Sequence, residues 1–363
     1  TLYIAAKYIA HQFKQAGLVP VPAQPSFLIP FSLLQKSRLP APVKVKLNQQ
    51  SFPDASLKWI GKDPFPEQQL DLKDFLIIKT NQLFSDSSLL NLPHTENILL
   101  WSTYSSGKRR NQFPKNFRLP LEGLSQNIML IYSADSISDL QVVMNPSYIK
   151  EVAWNVAGEL RTANAQSEYY MLGAHYDGLG SHLKNKSNIA NGANDNASGT
   201  TALLLLAGYF GKQETIPHTL RFVAFSGEEW GLLGSKEMAR SSKTKDIKGF
   251  INLEMLGVNQ YGPRHLMITG KDKSALGKWL ANTLPAHGFT LVEEPAEANL
   301  YERSDNFPFA EIGVDAHTLM GSDDSEPCYH QQCDKIDRMD FTNLADITAM
   351  LVPVILKWLD TKL

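Results

Sequence analysis

Only two cysteines occur in the 363 residues, too few for a scaffold held together by disulfides. Charge of one sign is missing as well. Thirty-five lysines and arginines against 37 acids leave −2, so no basic field points to nucleic acid or an anionic membrane. The clean apolar runs, such as 202–207, fall far short of the ~18 residues a membrane span needs, and none is expected. No Gly-x-Ser-x-Gly elbow surrounds Ser198 or Ser226, which weakens a serine-nucleophile reading. What is present suits a globular enzyme: 43% hydrophobic residues and 20% charged ones rule out a disordered tail. At ~150 residues per domain, the length gives one large domain or two moderate ones.

The chain opens on helical spacing. Ile4, Tyr8, Ile9, Gln12 and Phe13 recur every three or four residues, and Gly17 with Pro20 supplies a stop. Residues 1–19 are therefore read as a helix of the main domain. The chain starts without methionine and without a charged n-region, so a signal peptide is either absent or already removed; a trimmed chain is expected, and export is the localisation read for it. From 20 to 146, prolines at 20, 22, 25, 30, 40, 42 and 53 break any long helix. Short apolar runs at 43–47, 75–78, 98–101 and 128–132 predict a smaller, mainly β insert with no catalytic constellation.

Residues 147–363 alternate. Strands are expected at 152–158, 169–174, 220–225, 250–255, 265–269 and 314–319, and helices at 200–210, 231–239, 273–287, 306–312 and 341–359. This is the pattern of an α/β domain, a mixed, mostly parallel sheet sandwiched by helices. Ligands in such folds bind beyond the carboxyl ends of the strands.

Metal-ligating residue types gather at those ends. The strand at 169–174 runs into His175-Tyr176-Asp177. A Gly- and Asn-rich turn carrying Asp195 opens the helix at 200. Glu228 and Glu229 follow the strand at 220–225, Glu254 ends the run at 250–253, and Tyr329-His330 lies in a late loop. Two imidazoles and several carboxylates suit zinc in an open catalytic site. Two dications roughly 3.5–4 Å apart can clamp the attacking and the developing oxygen of a hydrolysis. The three carboxylates of Asp195, Glu229 and Glu254 leave room for one hydroxide, the nucleophile such a reaction needs. Asp177 is placed to hold the other ring nitrogen of His175. Adjacent glutamates leave the backbone in different directions, so Glu229 can ligate while Glu228 serves as general base.

Singly, each feature has a plainer explanation: a hydrogen-bonded histidine, a solvated acidic turn, or a helix cap at Asn-Asp-Asn-Ala-Ser-Gly. Their concurrence on one predicted rim gives them weight. His182 is a lesser ligand candidate, and His317, flanked by strand residues, reads as a satisfied interior group.

Five ordered segments carry a resemblance. They are Gly173-Ala174-His175-Tyr176-Asp177, the stretch from Gly192 to Gly199, the stretch from Phe225 to Ser235, Asn252-Leu253-Glu254-Met255-Leu256-Gly257, and Arg303-Ser304-Asp305-Asn306 through Tyr329-His330. Together they resemble the co-catalytic zinc aminopeptidase family, which includes secreted bacterial leucyl aminopeptidases, aminopeptidase Y, glutamate carboxypeptidase and, more distantly, glutaminyl cyclases.

That resemblance implies a two-zinc aminopeptidase that hydrolyses the N-terminal bond of a peptide substrate through a hydroxide bridging the metals. His175, Glu254 and Asp195 would hold one zinc ion; Asp195, Glu229 and His330 would hold the other. Glu228 would be the base, Asp177 the partner of His175, and Tyr329 an oxyanion donor. Arg303 would orient substrate, and Glu228, Glu254 or the Asp323-Asp324 loop would meet its amine. Two positions depart from the family: Glu254 stands where aspartate is usual, and Asn306 where the usual Ser-Asp-His ends. Residues 20–146 have only a loose likeness to a protease-associated lobe. Cys328 and Cys333, which flank His330, are read as a small disulfide in preference to free thiols. Other readings stay open: a single-zinc glutaminyl cyclase, a carboxypeptidase using Arg303 and Arg264, or a degenerate peptide-binding ectodomain.

Overall fold

The computed structural model describes residues 2–34, 44–47, 50–51, 57–60, 68–80, 97–102, 127–132, 137–144, 150–162, 168–181 and 189–361. His182 lies outside them. Two compact units emerge, Thr1–Leu33 with Val152–Leu363, and Leu34–Glu151. These boundaries fall at 34 and 151, where the sequence reading sets them at 20 and 146.

In the larger unit, helix α1 (Leu2–Gln15) precedes strands β1 (Val19–Pro20) and β2 (Leu28–Leu34). Strands β3 (Lys150–Leu160), β4 (Tyr169–His175), β5 (Thr219–Phe225), β6 (Ile247–Glu254), β7 (His265–Ile268), β8 (Thr290–Val292) and β9 (Ala316–Met320) complete the sheet. Its order is β1-β3-β5-β4-β6-β9-β7-β8, with β2 also paired to β3. The middle four strands, β5, β4, β6 and β9, run parallel, so their carboxyl ends share one edge. The chain leaves β4 for β5 on one side and then crosses to β6 on the other, which makes the end of β4 a topological switch point.

Five further helices cover the sheet: α2 (Gly199–Phe210), α3 (Leu233–Ser241), α4 (Ala275–Ala286), α5 (Phe307–Glu311) and α6 (Phe341–Leu359). Successive residues of a strand face opposite ways. Along β4, Tyr170, Leu172 and Ala174 join the core under α1, α2 and α6, with Phe13, Phe210, Phe222 and Trp358. Tyr169 and Met171 face the other layer, with Phe225, Phe250, Met238 and Phe309. Each large side chain so buried contributes about 1.5–3 kcal/mol. Gly173 lets Phe225 and Phe250 close over β4, since a Cβ there would stand 2.7 Å from both rings.

The buried stripe of α1 is Ala6, Ile9 and Phe13, whereas Ile4 and Tyr8 from the expected stripe are exposed. Spacing alone admits both faces; packing against α2 selects the first. Helix α6 is long and apolar enough to cross a membrane by length and composition. Its Leu344, Ile347, Leu351, Val354, Ile355 and Trp358 are buried in the core.

The smaller unit is mainly β. Lys44–Leu47, Gln50–Ser51, Gln68–Asp71 and Leu140–Met144 form an antiparallel sheet. A second sheet joins Leu76–Thr80, Asn97–Ser102 and Asn127–Tyr132 in parallel and Leu57–Ile60 antiparallel.

Candidate active site

The parallel strands deliver their residues to one rim. His175 ends β4, Glu228 and Glu229 follow β5, Glu254 ends β6, and Tyr329 and His330 lie on the loop after β9. Asp195 comes from the turn Ala193–Ser198 that enters α2.

Side-chain hydrogen bonds define that turn. Asn194 Oδ1 accepts from the amides of Gly257 (2.9 Å) and Val258 (3.1 Å), and Asn196 Oδ1 accepts from those of Gly199 (3.0 Å) and Met255 (3.1 Å). Ser198 Oγ accepts from the Leu256 amide at 2.9 Å and donates to the Asn194 carbonyl at 2.6 Å. Buried amides need such partners. Here they weld the turn to the exit of β6. Gly199 permits the approach, because a Cβ would lie 2.3 Å from both Asn196 Oδ1 and the Leu253 carbonyl. On the other flank, the Asp334 carboxylate accepts from the amides of Asn194 (2.7 Å) and Asp195 (3.0 Å).

Asp195 stands between two clusters. Its Oδ1 is 3.3 Å from His175 Nε2 and its Oδ2 is 3.1 Å from His330 Nε2. Glu229 Oε2 lies 3.1 Å from the same His330 nitrogen, and Glu228 Oε2 lies 4.0 Å from His175 Nε2. In each of two groups, His175–Asp195–Glu254 and Asp195–Glu229–His330, the ligand atoms fall within 4.8 Å of one another. The longer Glu254 side chain thus still reaches its group. Ser304 Oγ donates to its Oε2.

Asp177 meets the other ring nitrogen of His175 through its backbone. His175 Nδ1 sits 3.2 Å from the Asp177 backbone carbonyl and 3.8 Å from its carboxylate. A carbonyl only accepts, so in the neutral ring Nδ1 carries the proton and the Nε2 lone pair faces the cleft. That Nε2 is buried with no hydrogen-bond partner. The Asp177 carboxylate instead accepts from the Glu228 amide at 3.2 Å, fixing the turn of the adjacent glutamates.

Crowded carboxylates dominate the electrostatics. Burial lifts Glu254 to about 7, with Asp195 and Glu229 adding to the rise. Burial likewise lifts Asp305 to about 7 and Asp177 to about 6, and it drives Glu228 well above the usual carboxylate range. Burial pulls the His175 imidazole down, but Glu228, Asp195 and Glu254 reverse this and raise it overall. Burial also lowers His330, and hydrogen bonds to Asp195 and Glu229 outweigh it, bringing the ring to about 9. Asp195 is held below the usual range by both histidines against its own burial. A cleft arranged this way favours cations.

Tyr329 stacks on His330 with ring centroids 3.7 Å apart. Burial first, then the Asp195 and Glu254 charges, raise its hydroxyl so that it stays protonated. Cys328 and Cys333 are bonded across His330. His317 is an interior group, held by Ser274 Oγ at 2.6 Å and the Thr269 carbonyl at 2.9 Å. Asn306 is built into the core, donating to the Tyr301 carbonyl at 3.0 Å and accepting from Thr318 Oγ1 at 2.8 Å.

The profile of peptidase family M28 matches residues 155–355, the segment that carries every one of these residues. The chain belongs to peptidase family M28. It is 27% identical over 203 residues to the aminopeptidase YwaD of Bacillus subtilis, covering 53% of this chain and 42% of YwaD. A probable zinc metalloprotease of Pyrenophora tritici-repentis is 36% identical over 104 residues, covering 28% of this chain and 24% of that protein. The matches thus span less than half the length of these curated relatives. The fold is shared with a zinc aminopeptidase from Bacillus subtilis, at TM-score 0.55 and 19% identity over 97% of this chain and 88% of that one. It is also shared with an aminopeptidase from Aneurinibacillus sp. strain AM-1, at TM-score 0.53 and 20% identity over 97% and 87%.

Two features of this M28 chain escape sequence reasoning. Asp334 binds the turn from 140 residues away, and no local pattern announces that contact. Asp305, inside the Ser304-Asp305-Asn306 segment, is fully buried with neither carboxylate oxygen hydrogen-bonded.

Proposed function

We propose that this chain is a two-zinc aminopeptidase that removes the first residue of peptides. One observation carries the reading: a single carboxylate, Asp195, faces both histidines with a different oxygen, as a group shared by two cations must. Donor chemistry supports it, since imidazole nitrogens and carboxylate oxygens are the ligands zinc takes in open sites. The orphaned His175 Nε2 fits a metal ligand. His175, Asp195 and Glu254 would hold one ion, and Asp195, Glu229 and His330 the other. The names of the relatives, an aminopeptidase and a zinc metalloprotease, point the same way.

When bound, such a zinc pair supplies a water that ionises near pH ~7 and Lewis acidity at the scissile carbonyl. Glu228, its turn fixed by Asp177, takes the proton of the attacking water and returns it to the leaving amine. Its place beside the cluster, 4.0 Å from His175 Nε2, suits that shuttle. Tyr329, kept protonated, donates to the developing oxyanion. Asp177 fixes the tautomer of His175 through its carbonyl. A single-zinc cyclase holding its ion at Asp195, Glu229 and His330 would leave the converging His175 and Glu254 without a task. The Cys328–Cys333 bond suits an exported protein in an oxidising compartment.

The test compares wild type with Glu228→Gln on a panel of aminoacyl nitroanilides, with zinc counted in both. Retained zinc and turnover lowered ~10²–10⁴-fold is expected in the variant. Equal turnover rejects Glu228 as the base. A zinc-loaded wild type that cleaves no aminoacyl substrate rejects the aminopeptidase.

A further inference from the structure

We propose that Asp324 is a specificity-determining residue: by holding the Arg303 guanidinium at the rim of a pocket with one apolar wall, it makes the site choose uncharged, apolar first side chains and reject acidic ones. This rests on the aminopeptidase reading and names its substrate class.

A narrow pocket adjoins the metal-ligand clusters. Asp195, Glu228 and Glu254 line it together with Met255, Leu300 and Met320. These three apolar residues belong to a small buried cluster with Met267. The cavity is small, about 20 Å³, so a leucine- or methionine-like group enters it only as these adaptable thioether side chains move aside. Arg303 and Asp324 line the same pocket and are partly exposed, at 42% and 32%.

A free guanidinium there would recruit a carboxylate side chain, since arginine is charged at every relevant pH and presents a fork that matches carboxylate. In the structure it is committed. Arg303 Nη1 donates to Asp324 Oδ2 at 2.6 Å and to the Ala298 carbonyl at 3.0 Å. The neighbouring Asp323 has other duties, because Tyr261, Gln260 and Ser325 all donate to its carboxylate. Asp324 is therefore the group that neutralises Arg303. An acidic substrate side chain would have to displace a like charge to reach it, while an apolar one slides past a neutral pair.

The test measures kcat/KM for leucyl- and glutamyl-nitroanilide with zinc-loaded wild type, Asp324→Asn, Asp324→Ser and the double variant Asp324→Asn/Arg303→Gln. Wild type should favour the leucyl substrate. Either single variant should raise the glutamyl-to-leucyl ratio by roughly tenfold or more, chiefly through KM, and the double variant should return toward the wild-type ratio. Thermal shifts with free leucine against free glutamate give a readout independent of turnover and should move the same way. If wild type cleaves leucyl substrate while both single variants leave the ratio and the shifts unchanged, Asp324 has no such role and only this inference falls. An equal rise in the double variant also overturns it, because Arg303 would not be the anion's partner. If zinc-loaded wild type cleaves neither substrate, the aminopeptidase reading falls and takes this inference with it.

Discussion

Asp195 turns one carboxylate oxygen toward His175, at 3.3 Å, and the other toward His330, at 3.1 Å. The two histidines come from opposite ends of the catalytic sequence, and this one side chain joins their clusters. Its backbone is held from both flanks, by the exit of β6 through Asn194 and Asn196 and by Asp334.

Asp195→Asn should therefore empty both positions together, whereas His330→Ala should spare one. An amide keeps the shape but places an NH₂ against one of the two clusters. Atomic emission on dialysed protein should find less than about one zinc per chain for Asp195→Asn and about one for His330→Ala, with activity at background in the first. Full zinc content in Asp195→Asn would refute a shared ligand.

Asp334→Ala leaves the buried amides of Asn194 and Asp195 without their acceptor. A buried donor so stranded costs about 1–3 kcal/mol. Urea unfolding of the metal-free protein should show that loss. Zinc affinity should also weaken by ~10–100-fold, as for other groups that orient a ligand. Asp334→Asn, which keeps an acceptor oxygen, should recover part of both.

Stability without metal should fall as pH rises from 5 to 9. Glu254 and Asp305 at about 7 and Asp177 at about 6 hold protons in the folded state that the unfolded chain has released by then. The native state binds more protons across that range, so raising pH favours unfolding. His330 at about 9 adds the same sign, its contribution complete below the ordinary imidazole range and lost as pH passes 9. The depressed Asp195 acts only at lower pH, where its stabilisation is lost. Thermal melts in chelator should show this decline, and zinc affinity should rise over the same interval because metal and protons compete for the same atoms. A metal-free melting temperature that climbs from pH 5 to 8 contradicts the assignment.

Replacing both Cys328 and Cys333 by serine should leave the sheet intact and loosen the His330 position. The bond closes a short loop around that residue, whose backbone is left-handed at φ 56°. Zinc content after dialysis should drop from about two toward one, with the circular dichroism of the fold unchanged. Undiminished zinc would show that neighbouring contacts suffice.

The parallel core was legible because its strands are compact apolar runs between turn residues, and the ligand types follow those runs directly. His175, Glu228, Glu229 and Glu254 sit at strand ends, where a linear pattern has most to say. β2 was hidden by Pro30 within Leu28–Leu34, which sequence rules count against a strand although a sheet margin tolerates it. That Asp177 meets His175 by its carbonyl, leaving its carboxylate for the Glu228 amide, is a choice of oxygen that spacing does not encode. Asp334 and the Arg303–Asp324 pair depend on loops that meet only in three dimensions.

His175 is wholly enclosed, whereas His330 leaves 35% of its side chain open to solvent. On the two-zinc proposal, the ion beside the half-open His330 would be given up more readily than the one beside the enclosed His175, so scarcity of metal would produce a half-loaded form.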